Sequence, residues 1–265
     1  MRSFILSAAV AITVALAGCT STTTTTAPDA KAPAAAASSA SAATDAIAAA
    51  VADANRPAED VARDAARKPS DMLAFAGVKP GDKVIDFIPG GGYFTRVFAK
   101  AVGAGGHVYA VSPPPQKPGA PSAVDKIAAD AAYANVSVVP LVGALTAPEP
   151  VDIVWTAQNY HDLHLARLNV DVPAMNKAVF AALKPGGVFV VLDHAALPGT
   201  GLDVPDKLHR INPDIVKQEV TAAGFVFESE STVLRNDTDP HTMGVFDPAI
   251  RGKTDQFIFK FRKPN

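Results

Sequence analysis

Two short runs carry side chains able to do acid–base chemistry: Gln158-Asn159-Tyr160-His161-Asp162-Leu163-His164, and Asp193-His194. A histidine beside an aspartate serves as a general base when the carboxylate sets the orientation of the ring. His161 with Asp162, and His194 at the second run, are therefore the candidate catalytic residues. The competing reading has His161 merely bonding a loop backbone, and His164 is a weaker candidate than His161. Histidine and carboxylate are also ordinary metal ligands, and Asp193, His194, His161 and His209 are the residues that would supply them. Their spacing matches no short metal motif, so the expectation is a polar wall and no metal. Arg251 and Lys253 lie in a polar loop, where they either clamp an anionic group or form a solvated or ion-paired surface.

A third run, Lys83 to Thr95 (KVIDFIPGGGYFT), carries no base but is built to approach a ligand. It reads as an apolar strand containing Asp86, a glycine-rich turn, and the first turn of a helix. Glycines let the backbone come close to a ligand where helix N–H groups point outward.

The elements that must position these runs follow from the hydrophobic pattern. Strands are expected at Lys83 to Phe87, His107 to Val111, Val136 to Val142, Val151 to Thr156, Val188 to Asp193, Phe225 to Leu234 and Gln256 to Phe261. Helices are expected at Pro57 to Arg67, Met72 to Ala76, Gly92 to Val102, Ser122 to Tyr133 and Pro173 to Leu183. Another is capped by Asn212, has Pro213 in its first position and ends at Gly224. Near-continuous apolar strands alternating with helices imply one α/β domain with a mostly parallel sheet covered on both faces. The long loop before the last strand suggests an antiparallel pair at the sheet edge. Ligands of such sheets lie beyond the carboxyl ends of the strands, which places chemistry after Phe87, Val111, Thr156 and Leu192. Trp155, inside a strand, is expected in the core.

The chain has 265 residues, 48% of them hydrophobic, enough for a full core. Its net charge of −2 gives no reason to expect nucleic acid as a partner. The one cysteine, Cys19, excludes an intramolecular disulfide.

A dinucleotide turn requires G-x-G-x-x-G. Here Gly90-Gly91-Gly92 is followed by Tyr93-Phe94-Thr95, so the third glycine is missing and a nicotinamide-dependent oxidoreductase is disfavoured. The run instead resembles the first motif of class I S-adenosylmethionine-dependent methyltransferases, D/E-x-G-x-G-x-G. Asp86 aligns with the acid, Gly90 and Gly92 with the last two glycines, and Ile88 replaces the first. Leu183-Lys184-Pro185-Gly186-Gly187-Val188 is similar to the segment before that family's fifth strand. Val78-Lys79-Pro80-Gly81, Asn159-Tyr160-His161-Asp162 and Ala222-Ala223-Gly224-Phe225 also fit, and the likeness spans roughly Pro57 to Lys263. The resemblance implies a Rossmann-like fold with a seven-stranded, mostly parallel sheet, an antiparallel C-terminal strand and helices on both faces. It also implies S-adenosyl-L-methionine as cofactor, held by Asp86, Gly90, Gly91, Gly92, Ser112 and Asn159. The chain departs from that family at two strand exits: Ser112 stands where an acid usually holds the ribose, and Leu141-Val142-Gly143-Ala144 where another lies near adenine. Each exchange forfeits a charge-assisted hydrogen bond, on the order of 1.5–3 kcal/mol. A methyltransferase-like module that binds a ligand without catalysis is the alternative.

The N-terminus reads as an address. Arg2 precedes an apolar run, Phe4 to Ala17, too short for a typical spanning helix of about 20 residues. Leu16-Ala17-Gly18-Cys19 resembles the lipobox of bacterial lipoproteins. That resemblance implies removal of residues 1–18, a lipid on Cys19, and a periplasmic location on the outer membrane, as in a methyltransferase-like group of proteobacterial envelope proteins with a P-G-G-G-Y/W turn. Residues 19–56, rich in Thr, Ala, Ser and Pro, read as a flexible tether, and 57–265 as the domain. The expected partners are a membrane, through the lipid, and a small-molecule or envelope-component methyl acceptor.

Overall fold

A computed structural model describes residues 32–115 and 119–265. The segment expected to be a signal peptide, Cys19 and the threonine run lie outside the described residues. In order, the elements are α1 (Ala32–Val51), α2 (Ala58–Val61), α3 (Asp64–Arg67), α4 (Pro69–Ala76), β1 (Lys83–Phe87), α5 (Tyr93–Val102) and β2 (His107–Ser112). Then come α6 (Ala123–Ala128), β3 (Val136–Pro140), β4 (Val151–Ala157), α7 (Val172–Ala182), β5 (Leu183–His194), α8 (Val204–Leu208), α9 (Pro213–Ala222), β6 (Val226–Ser231) and β7 (Gln256–Arg262). Each expected strand is found, and the boundaries move by a few residues.

The seven strands form one sheet in the order β3-β2-β1-β4-β5-β7-β6. The first five run parallel, and β7 lies antiparallel between β5 and the edge strand β6. The chain order reverses direction at β1, beside β4, so the crevice expected of an open α/β sheet opens over these two strand ends. Two apolar layers flank the sheet. One contains Trp155, Phe94 and Phe98 on the α4 and α5 side; the other contains Phe189, Phe225 and Phe259 on the α7 and α9 side. Trp155 is fully buried, its ring 4.8 Å from that of Phe94.

Three expectations need correction. Residues 32–51, expected to belong to the tether, form a helix, and Ile47 and Ala50 on it are buried against the domain. Arg56, also assigned to the tether, is buried and pairs with Asp64 at 2.5 Å. Alanine-rich sequence hides this, because two apolar positions per helix face are too few to stand out as a period. The helix expected over Pro57 to Arg67 is broken into α2 and α3, with Lys68 in a left-handed conformation (φ 45°) after it. Finally, Lys184-Pro185-Gly186-Gly187 does not separate a helix from a strand. Pairing of β4 with β5 starts at Leu183, and the irregular stretch is a bulge between Val151 and Ile153. No described helix is long and apolar enough to cross a membrane.

Candidate active site

The turn after β1 keeps the backbone of a glycine motif even where the glycine is gone. Gly90 and Gly92 have φ of 56° and 77°, and Ile88 has φ of 57°. A β-branched residue in that region is a true outlier, carrying about 1–3 kcal/mol of strain that its surroundings must hold. The holding contacts are visible: the Ile88 N–H donates to the Val111 carbonyl at 2.9 Å, and Asn159 Nδ2 donates to the Ile88 carbonyl at 2.8 Å. Gly92 is favoured by its left-handed backbone (φ 77°), and a Cβ there would also force the Ile127 side-chain end to move. Gly90 and Gly91 face open space instead.

Asp86 is buried, and its carboxylate accepts from Thr95 Oγ1 at 2.6 Å. Burial raises its pKa to about 7, against the opposing pull of Thr95 and Arg67. It ties β1 to the first turn of α5 and acts on a ligand through that turn. Asn159 is likewise a positioning group, because its amide also donates to the Ala157 carbonyl at 2.6 Å. Ser112 is half-exposed at the β2 exit, its hydroxyl 3.2 Å from the Pro113 carbonyl. The turn thus keeps the left-handed backbone of a glycine motif at Ile88, Gly90 and Gly92. The β2 exit carries Ser112 and the β3 exit Leu141-Val142-Gly143-Ala144, neither with a carboxylate.

His161 sits in a 3-10 turn, His161–His164, directly after β4, and is buried. Its N–H donates to Asp193 Oδ2 at 2.7 Å, and its Nδ1 lies 2.8 Å from Asp193 Oδ1. Asp193 is fully buried; burial disfavours its charge, but His161 and His194 outweigh this and hold its pKa low. An ionised carboxylate only accepts, so Nδ1 carries the proton in that bond. The other nitrogen, Nε2, lies 3.3 Å from Asp162 Oδ1. Burial opposes the His161 charge, yet the Asp193 carboxylate raises its pKa overall. Asp162 is pushed up by burial, against the pull of His161. His161 thus lies between two carboxylates, its Nδ1 bonded to Asp193 and its Nε2 facing Asp162. His164 has a structural partner, Glu219, at 3.0 Å.

His194 lies at the edge of a cleft. It lines this cleft, of about 420 Å³, with Arg67, Gln158, Arg251, Thr254 and Gln256. Its Nδ1 pairs with Thr254 Oγ1 at 2.7 Å, and burial lowers its pKa to about 4, so the ring is neutral near pH 7. Among the described residues, three guanidiniums, Arg63, Arg67 and Arg251, line this cleft, and no carboxylate does. Arg67 donates to Gln158 Oε1 at 3.0 Å and lies over the Tyr93 and Phe94 rings, with burial lowering its pKa to about 10. The sequence pattern assigned Arg63 and Arg67 to the end of a helix and missed their place in the cleft. A left-handed turn at Lys68, which no local signal announces, separates that segment from α4. Lys253 does not line the cleft.

No protein-family model matches the chain. No curated protein matches it in sequence. Solved structures do share its fold. A SAM-dependent methyltransferase from Aquifex aeolicus superposes with a TM-score of 0.52 at 19% identity, covering 73% of this chain and 88% of the other. The YcgJ protein from Bacillus subtilis gives 0.51 at 15% identity, covering 73% and 97%. The chain therefore has the Rossmann-like methyltransferase fold, and identity this low speaks to fold alone.

Proposed function

We infer that the protein is an S-adenosylmethionine-dependent methyltransferase of the cell envelope, acting on an acceptor that carries an acid group. The observation that carries this reading is the left-handed backbone at Ile88, Gly90 and Gly92. The chain holds a glycine-motif turn under strain at the one position where it has lost the glycine. Gly90, Gly91 and the first turn of α5 would hold the amino-acid end of the cofactor, with Ser112 toward its ribose. When bound, the cofactor supplies an electrophilic methyl group on a sulfonium. The chain's own residues would position the acceptor: Arg67 and Arg251 bind its acid group, and the neutral His194 ring accepts a hydrogen bond from its nucleophilic atom. His161 and Asp162, first candidates by sequence, become framework around that cleft.

Calorimetric titration of the folded protein with S-adenosylmethionine tests the reading. Saturable heat with one site per chain supports it, and no heat at about 1 mM cofactor overturns it. The missing carboxylates after β2 and β3 favour a second reading, a binding module without catalysis; saturable binding with no transfer to any acidic acceptor would select it.

Location is part of the proposal. Lipidation of Cys19 at the lipobox-like Leu16-Ala17-Gly18-Cys19 would anchor the chain on the periplasmic side of the outer membrane. Cys19→Ser should then move the protein from the detergent-extracted membrane fraction to the soluble fraction; an unchanged distribution would refute the anchor.

A further inference from the structure

Beside the cleft, three side chains from two separate segments converge. His161 Nε2 lies 3.3 Å from Asp162 Oδ1, and His209 Nδ1 lies 3.9 Å from the same oxygen. One ligand atom from each residue lies within 4.8 Å of the other two. Ligands held about 2.0–2.1 Å from a tetrahedral metal ion stand roughly 3.3 Å apart. The first separation already has that value, and the second needs a closure of about half an ångström.

We propose that His161, Asp162 and His209 form a binding site for one divalent transition-metal ion. Two imidazoles and one carboxylate suit zinc, cobalt, manganese or ferrous iron, and they leave coordination positions open.

Three features beyond proximity point to a ligand. The first is the proton on His161 Nδ1, fixed by the buried Asp193 carboxylate. That bond leaves the Nε2 lone pair facing Asp162, a carboxylate supporting a ligating histidine from behind. A cation between Nε2 and Oδ1 joins the two groups, and a metal ion binding there would displace a proton. The second is the backbone of His209, a non-glycine residue at φ 53°. Strain of this kind persists where the surroundings impose it. Here Arg210, fully buried against Asp239, and Ile211, bonded to His194 and Ala196, hold the segment in place. The third is access: the Asp162 and His209 side chains are 31% and 29% exposed, so an ion can enter. The His209 ring lies 5.0 Å from that of Phe246, which lines the cleft, so the open positions border the space where the acceptor would sit.

The site stands independently of the proposed methyl transfer, and its test needs no turnover. The full chain in detergent is stripped with EDTA and titrated with Co²⁺, followed by visible absorption, with a parallel calorimetric titration using Zn²⁺. One ion per chain is expected. His209→Asn keeps a residue tolerant of the left-handed backbone but removes the imidazole, and should weaken binding at least about tenfold. Lys253→Gln, outside both the cleft and the cluster, should bind as the wild type does. No saturable uptake by the folded wild type, or equal uptake by His209→Asn, overturns the proposal.

Discussion

The side-chain amide of Asn159, just past β4, donates to the carbonyl of Ile88, just past β1, at 2.8 Å. One hydrogen bond thus joins the two strand ends between which the sheet opens, and it does so at the most strained residue of the turn. The left-handed φ of Ile88 is held from outside, by Asn159 on one side and by the Val111 carbonyl on the other.

It follows that glycine at position 88 is better than alanine. Ile88→Ala loses the side chain yet keeps a Cβ in the left-handed region, where that atom costs about 1–2 kcal/mol. Ile88→Gly loses the same side chain but sheds the strain. Urea unfolding should find the glycine variant more stable than the alanine variant by about 1 kcal/mol. The reverse order would mean that the turn is relaxed.

Asp86 gives a pH dependence of definite sign. Its folded pKa is about 7, well above the unfolded carboxylate value, because burial penalises the charge. The folded state therefore holds the proton more tightly. Its stabilising contribution is full below the unfolded pKa of about 4 and is lost as pH rises toward 7. Between pH 5 and 8 this amounts to about 3 kcal/mol. Asp86→Asn should unfold with a distinctly flatter pH profile across that range. Equal slopes in the two proteins would count against a buried, protonated Asp86.

The strands were legible because each is a local apolar run, and the glycine turn because its residues are contiguous. The partners of His161 were not. Asp162 is adjacent in sequence, but Asp193, 32 positions away, proves to be the group that fixes the ring. Nothing local tells which of two nearby acids a histidine will face; strand pairing of β4 with β5 decides it. The same holds for Arg67. Its guanidinium reaches Gln158, 91 residues away, a partner that no local pattern names. Alanine-rich α1 was lost for a different reason, since composition argued for a tether while burial of Ile47 and Ala50 makes it part of the fold.

The N-terminal boundary of the folded unit should accordingly lie before Asp45. Ile47→Ala removes a buried side chain from the face against α5 and should cost about 2 kcal/mol or more. A chain beginning at Pro57 also loses the Arg56–Asp64 pair and should be markedly less stable than one beginning at Ala32. Limited proteolysis followed by mass spectrometry checks this. A stable core fragment starting at Pro57 would restore the tether reading.

The loop carrying Val245, Phe246 and Arg251 to the cleft depends on one buried ion pair. Arg210 and Asp239 meet at 2.8 Å with neither side chain exposed. Replacing a buried pair with apolar residues is often neutral or stabilising, whereas removing one partner costs about 3–5 kcal/mol. Here the apolar replacement should fail as well, for a specific reason. Arg210 also donates to the carbonyls of Ala195 and Met243, and Asp239 also accepts from the N–H groups of His241 and Asp255. Four backbone groups would lose their partners, each at about 1–3 kcal/mol where water cannot reach. The double variant Arg210→Met with Asp239→Leu should therefore stay at least about 3 kcal/mol below wild type in denaturant unfolding. If it recovered to within about 1 kcal/mol, the pair would be an ordinary ion pair and the loop would owe its position to other contacts.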